Sequence, residues 1–179
     1  NIDDIKILQV NGLGNIGSRV AKACMDLGMK VIGYDPYISV EKAWQLSNDI
    51  PRAESLEELL EQSDFITIHI PYTDKNRNII GEDEINVMKD TAVLLNYSRW
   101  GIVDEDAVIK ALNAKKLRLF ITDFSSEKIL NNKQIIVTPH LGGTTEEAEV
   151  NGAKMAANTL RKYLETGDIV NSVNLPNVE

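Results

Sequence analysis

The stretch Val10-Asn11-Gly12-Leu13-Gly14-Asn15-Ile16-Gly17 constrains the fold of this chain more than any other. It closes a β-rich run over residues 5–10 and opens an amphipathic helical pattern over 15–27, ended by Gly28. The three glycines, at G-x-G-x-x-G spacing, have separate tasks in such a turn. Gly12 permits the tight turn, Gly14 lets the backbone approach a pyrophosphate, and Gly17 lets the helix pack close to the sheet. The free N–H groups and positive dipole end of the helix, around Asn15 and Ile16, then face the phosphates. The next apolar run, 30–34, ends at Asp35, 18 residues past Gly17, where a carboxylate accepts hydrogen bonds from an adenosine ribose. Glycines alone mark ordinary turns. The strand before, the helix after and the acid beyond make this a dinucleotide-binding pattern.

Strand and helix patterns alternate through the rest of the chain. Strands are predicted over 64–70, 92–97, 117–122 and 135–137, and helices over 55–62, 82–88, 104–113 and 145–165. Ser55 and Glu58 have capping-box spacing, as do Thr144 and Glu147. Trp44 and Leu46 mark a further short helix, and the tail 173–179 reads as extended. Such alternation predicts an α/β fold, Rossmann-type and doubly wound, with a mainly parallel sheet and helices on both faces. No repeat or linker interrupts it, so residues 1–179 are expected to form one dinucleotide-binding domain. The chain opens at Asn1, four residues before a core strand, and reads as a piece of a longer protein.

Composition narrows the partners. A net charge of −8 argues against nucleic acid and anionic membranes, and no apolar run approaches the ~20 residues of a membrane span. The single cysteine, Cys24, falls on the apolar side of the first helix, so packing is expected of it rather than reactivity; a reducing, cytoplasmic setting fits. No cluster suggests a metal site. An anionic substrate must therefore be held by specific arginines or lysines.

Asp35, His69, Arg99, Asp123 and His140 all lie at or just past the C-terminal ends of predicted strands, the edge at which ligands bind in open α/β sheets. His140, in Thr138-Pro139-His140-Leu141-Gly142-Gly143, is the natural acid/base, because imidazole titrates near neutrality. Arg99 presents a planar fork suited to a carboxylate; the alternative is a surface arginine paired with Asp104 or Glu105. His69, ahead of Ile70-Pro71, reads as a turn residue beside the cofactor. NAD is expected rather than NADP, since Asp35 repels a 2′-phosphate and no basic residue occurs over 36–40.

Taken together, Gly12-x-Gly14-x-x-Gly17 with Asp35-Pro36, His69-Ile70-Pro71, Asn96-x-x-Arg99-x-Gly101-x-Val103-Asp104, Thr122-Asp123-Phe124 and Thr138-Pro139-His140-Leu141-Gly142 resemble the NAD-binding domain of the D-isomer-specific 2-hydroxyacid dehydrogenases. The run 140–149 and the tail Val173-Asn174-Leu175-Pro176 are most similar to members that oxidise a phosphorylated 2-hydroxy acid. The resemblance implies a substrate domain largely absent from this chain, a homodimer, a small anionic hydroxy or keto acid as substrate, and specific roles. The amides near Asn15 and Ile16 hold the pyrophosphate, and Asp35 and Pro36 flank the adenosine ribose. His69, Pro71, Tyr97, Ser98, Gly142 and Gly143 line the cofactor. Asp123 orients the nicotinamide carboxamide, Arg99 binds the substrate carboxylate and carbonyl, and His140 exchanges the hydroxyl proton, paired with a glutamate.

Two positions depart from the family pattern. The glutamate region reads Asp123-Phe124-Ser125-Ser126-Glu127-Lys128-Ile129; Glu127 is the expected partner, although strict counting puts Lys128 at that place. Trp100 stands where the family has glycine, and its ring narrows the pocket, stacks on the guanidinium or covers a neighbouring domain. These departures leave a second function open, an NAD(H)-sensing regulatory module of the same fold. A third is a dehydrogenase for glycerate, lactate or another small acid.

Overall fold

The structure, a computed structural model, describes residues 7–40, 43, 46, 50–169 and 172. Strands β1 (Ile7–Asn11), β2 (Lys30–Tyr34), β3 (Phe65–Ile68), β4 (Val93–Asn96), β5 (Leu119–Thr122) and β6 (Ile135–Val137) form one sheet in the order β2-β1-β3-β4-β5-β6. Every neighbouring pair is parallel. Helices α1 (Gly17–Asp26), α2 (Leu56–Gln62), α3 (Glu82–Val87) and α4 (Glu105–Asn113) lie between strands, and α5 (Glu146–Thr166) follows the sheet. This is the expected doubly wound α/β architecture. The chain divides into two compact units, Asn1–Pro139 with the whole sheet and His140–Glu179 with α5.

In a parallel sheet, residues paired in register point to the same face. Ile66, Ile68, Leu94, Phe120 and Ile135 share one face and cluster with Leu60 of α2, Ile85 of α3 and Val108 and Leu112 of α4. On the other face Val10 and Val31 cluster with Ala21 of α1 and with Leu13. Fully burying a side chain such as Leu94 contributes about 1.5–3 kcal/mol, so these two clusters hold the sheet between its helices. Cys24 packs at the edge of the second cluster, half-buried, and burial pushes its thiol pKa up; packing is its role, as the sequence suggests.

Helix starts follow local chemistry. Ser55 Oγ accepts from the Glu58 N–H at 3.1 Å, and Glu58 Oε2 accepts from the Glu54 N–H at 2.9 Å. Asp104 caps α4 by accepting from the N–H groups of Asp106 (3.0 Å) and Ala107 (3.3 Å). The cap of α5 is Thr145, whose hydroxyl accepts from the Ala148 N–H at 3.2 Å, rather than Thr144 as the spacing to Glu147 predicts. Thr144 turns its hydroxyl back to the Leu141 carbonyl at 3.4 Å, so the helix starts one residue later. Strand β3 stops at Ile68, short of the predicted 70, because its neighbour β1 ends at Asn11 and turns away at Gly12. A 3₁₀ turn, Asp74–Asn76, was not foreseen; Asn76 holds it by accepting from the Thr73 N–H at 2.7 Å and donating to the Pro71 carbonyl at 2.6 Å. Ile5, Trp44 and the tail 173–179 lie outside the described residues. Among those described, no helix is long and apolar enough to cross a membrane.

The turn from β1 into α1 has no room for side chains at two places. Gly12 has φ +92°, and a Cβ there lies 2.8 Å from the His69 carbonyl oxygen. A Cβ on Gly17 runs into the carbonyl oxygen of Gly12, which is backbone and cannot swing aside. At Gly14, by contrast, nothing lies within 4 Å of the Cβ position. Gly17→Ala is therefore expected to lower unfolding stability by about 1–3 kcal/mol. Gly14→Ala is expected to shift it by no more than about 0.5 kcal/mol, since it meets open space. Urea denaturation of the two variants measures the contrast.

Candidate cofactor cleft and active site

A cleft of about 260 Å³ opens at the C-terminal edge of the sheet, inside the first unit. Its lining comes from three separated segments: Gly14, Asn15 and Ile16; His69, Ile70 and Pro71; and Tyr97, Ser98 and Arg99. Eight of these nine residues are those the sequence pattern picks out. The ninth, Ile70, lies between His69 and Pro71, and its place at the end of a predicted strand is the signal in the sequence that marks it.

The first wall is the entrance to α1. Ile16, at its N-cap position, makes no side-chain capping bond, and the first turn carries no acidic residue. The positive end of the helix dipole is thus left for an external anion. Gly12 and Gly17 do not line the cleft. They bring the turn close to the His69 backbone, whose N–H donates to the Asn11 carbonyl at 2.7 Å.

Asp35 lies just past β2, and its carboxylate is held from two sides. Oδ2 accepts from the Leu13 N–H at 2.9 Å and Oδ1 from the Tyr37 N–H at 3.0 Å. The acid therefore fixes the glycine turn, and each oxygen retains a lone pair for a ribose hydroxyl. Pro36, next to it, is exposed.

The second wall is His69 to Pro71. Burial holds the His69 imidazole below its ordinary range, so the ring is neutral at pH 7. Its Nε2 lies 3.0 Å from the hydroxyl of the buried Thr67, which fixes the ring orientation. A neutral ring adds no charge to this wall of the cleft.

The third wall carries Arg99. Nη1 of Arg99 donates to the Ser98 carbonyl at 2.7 Å, and the residue lines the cleft with an exposed guanidinium. Asp104 is occupied as the α4 cap, and Glu105 accepts from the Ser126 hydroxyl at 2.7 Å. Trp100 is 62% exposed and is not part of the cleft lining. Tyr72 instead flanks this loop, its ring edge 3.0 Å from the Cβ position of Gly101.

Asp123 follows the last residue of β5. Its Oδ1 is buried. That oxygen, the open space above Gly14 and the uncapped start of α1 are features a dinucleotide with a carboxamide end can satisfy. The residues present fit the group.

Glu127 is exposed, in the turn after β5. Lys128 pairs with Asp106 of α4 at 2.7 Å, and that hydrogen bond raises its pKa. His140, Gly142 and Gly143 are exposed and belong to the second unit, which begins at His140.

A family model described as D-isomer specific 2-hydroxyacid dehydrogenase, NAD binding domain, matches residues 5–142. Among curated relatives, the D-3-phosphoglycerate dehydrogenase of Methanocaldococcus jannaschii is 38% identical over 97% of this chain, which covers 34% of that protein. Among solved structures, a glyoxylate reductase from Paecilomyes thermophila is 30% identical with a TM-score of 0.83, over 94% of this chain and 52% of its own. A D-lactate dehydrogenase from Aquifex aeolicus, complexed with NAD and lactic acid, is 28% identical with a TM-score of 0.73, over 89% of this chain and 54% of its own. The chain thus spans about a third of the first relative's length and about half of those two structures. Its sheet order, its glycine turn and this match together make the chain a member of the D-isomer-specific 2-hydroxyacid dehydrogenase family, carrying the NAD-binding domain.

Proposed function

We propose that this chain is the cofactor-binding part of an NAD-dependent dehydrogenase of 2-hydroxy acids, with D-3-phosphoglycerate as the favoured substrate. Such an enzyme opens serine biosynthesis and works in the cytoplasm. The observation that carries the reading is the meeting of the α1 entrance, the His69–Pro71 wall and the Arg99 loop around one cleft. The phosphoglycerate assignment is supported by the relatives named D-3-phosphoglycerate dehydrogenase, by the run 140–149 and by the tail Val173-Asn174-Leu175-Pro176. NAD, when bound, supplies the hydride acceptor.

The residues then divide the work. Amides at Asn15 and Ile16 hold the pyrophosphate, and Asp35 with Pro36 takes the adenosine ribose. His69, Pro71, Tyr97 and Ser98 line the dinucleotide, Asp123 orients the carboxamide, and Gly142 and Gly143 allow close backbone approach. Arg99 grips the substrate carboxylate and polarises its reacting carbonyl. His140 takes the hydroxyl proton on oxidation and returns it on reduction, with Glu127 as its carboxylate partner. Substrate selection and full turnover need the sequence that relatives carry beyond this length, so the chain alone binds NAD and turns over little.

An NAD(H)-sensing module is the second reading. It is favoured by the exposed Glu127 and by Lys128, which occupies the family's glutamate position and is tied to Asp106. Glyoxylate reductase and D-lactate dehydrogenase relatives keep other small acids in view.

Three outcomes test the proposal. First, the fixed Asp35 carboxylate should make NADH bind at least about tenfold more tightly than NADPH, a difference of about 1.4 kcal/mol. Titration of intrinsic fluorescence measures it, and equal affinities defeat the NAD assignment. Second, in the complete protein His140→Asn should cut kcat/KM for 3-phosphoglycerate by about 10²–10⁴. A wild type inactive with every 2-hydroxy and 2-keto acid favours the sensor. Third, Val150, Met155, Leu160, Tyr163 and Leu164 of α5 are exposed, and we expect them to serve a homodimer. Light scattering should give twice the chain mass, and Leu160→Lys with Leu164→Lys should return a monomer.

A further inference from the structure

We infer that Asn96 is the positioning residue for Arg99, acting through a side-chain staple that fixes where the guanidinium sits. The inference rests on the carboxylate-gripping role proposed for Arg99. Asn96 ends β4 and is only 3% exposed. Its Nδ2 donates to the Arg99 carbonyl at 3.0 Å. Its Oδ1 accepts from the Ser98 backbone N–H at 3.2 Å and from the Ser98 hydroxyl at 2.9 Å. The peptide groups on either side of the Ser98–Arg99 peptide are thus tied to one amide, and the guanidinium donates to the carbonyl of the peptide between them at 2.7 Å.

The loop is also held from its far end. The Asn78 N–H donates to the Gly101 carbonyl at 2.8 Å, and the Ile80 N–H to that of Ile102 at 3.2 Å. Between these anchors the chain presents Arg99 and Trp100 to the outside. A side chain with one donor and one acceptor on the same planar group makes the inner anchor. Aspartate keeps the two accepted bonds and loses the donor, placing an oxygen against the Arg99 carbonyl. Leucine, of similar size, loses all three. Because a shift of about 1 Å in a substrate-gripping group costs on the order of 10²-fold in rate, the staple governs the efficiency of the clamp.

The test is a double-mutant cycle in the complete protein, with Asn96→Asp, Arg99→Lys and both together. Asn96→Asp should raise KM for the keto acid about tenfold or more, while NADH affinity stays within about twofold, since Ser98 keeps its bonds. On the Arg99→Lys background the same change should cost almost nothing further, because its effect runs through the guanidinium. A wild-type KM in Asn96→Asp, or costs that simply multiply, overturns the inference. If the wild type reduces no 2-keto acid, it is the dehydrogenase reading that fails. The staple is then judged by amide exchange at Ser98. Protection that falls at least about a hundredfold in Asn96→Leu, with Leu94 unchanged, supports it, and unchanged protection overturns it.

Discussion

Parallel pairing is the constraint from which the rest of this structure follows. A strand that must run in the same direction as its neighbour cannot be reached by a hairpin, so the chain returns across the sheet through a helix or loop each time. All six strands therefore finish at one edge. That edge gathers Asp35, His69, Arg99 and Asp123, which are far apart in the sequence, without any of them needing a contact to the others. The side chains need only follow the last residue of a strand.

Within that frame, the glycine turn and Asp35 are two halves of one device. Bare glycine surfaces at Gly12 and Gly17 let α1 descend onto the β1 turn and the His69 backbone. The Asp35 carboxylate then ties β2 to the same turn through the Leu13 N–H. The carboxylate for which we propose ribose binding is thus also a brace for the glycine turn, so a substitution at Asp35 removes a structural bond as well as a charge.

Much of this was legible in the sequence because the relevant forces are local. Apolar runs such as 30–34 and 135–137 gave β2 and β6 to the residue, and Asp104 and Ser55 announce their helices through their own oxygens. Less visible were features that depend on a neighbour. β3 ends early because β1 turns away, and Thr145 rather than Thr144 caps α5 because Thr144 is drawn back to Leu141. Asn96 read only as part of a motif, since its three bonds appear once the loop has folded over it. The same limit applies to the stretch after Asp123. Spacing offered Glu127 or Lys128, and the pairing of Lys128 with Asp106 comes from a helix more than twenty residues earlier.

The register carries one more implication. Tyr34, Asn11, Ile68, Asn96, Thr122 and Val137 are paired in sequence across the sheet, so they occupy a single level at its upper hem. Asn11, Asn96 and Thr122 on that level are polar and yet shielded from solvent. Deleting one residue from β4 ahead of Asn96 would move Asn96 to the opposite face and bring Tyr97 to its level. Evolution can therefore trade side chains along these strands more freely than it can alter their length.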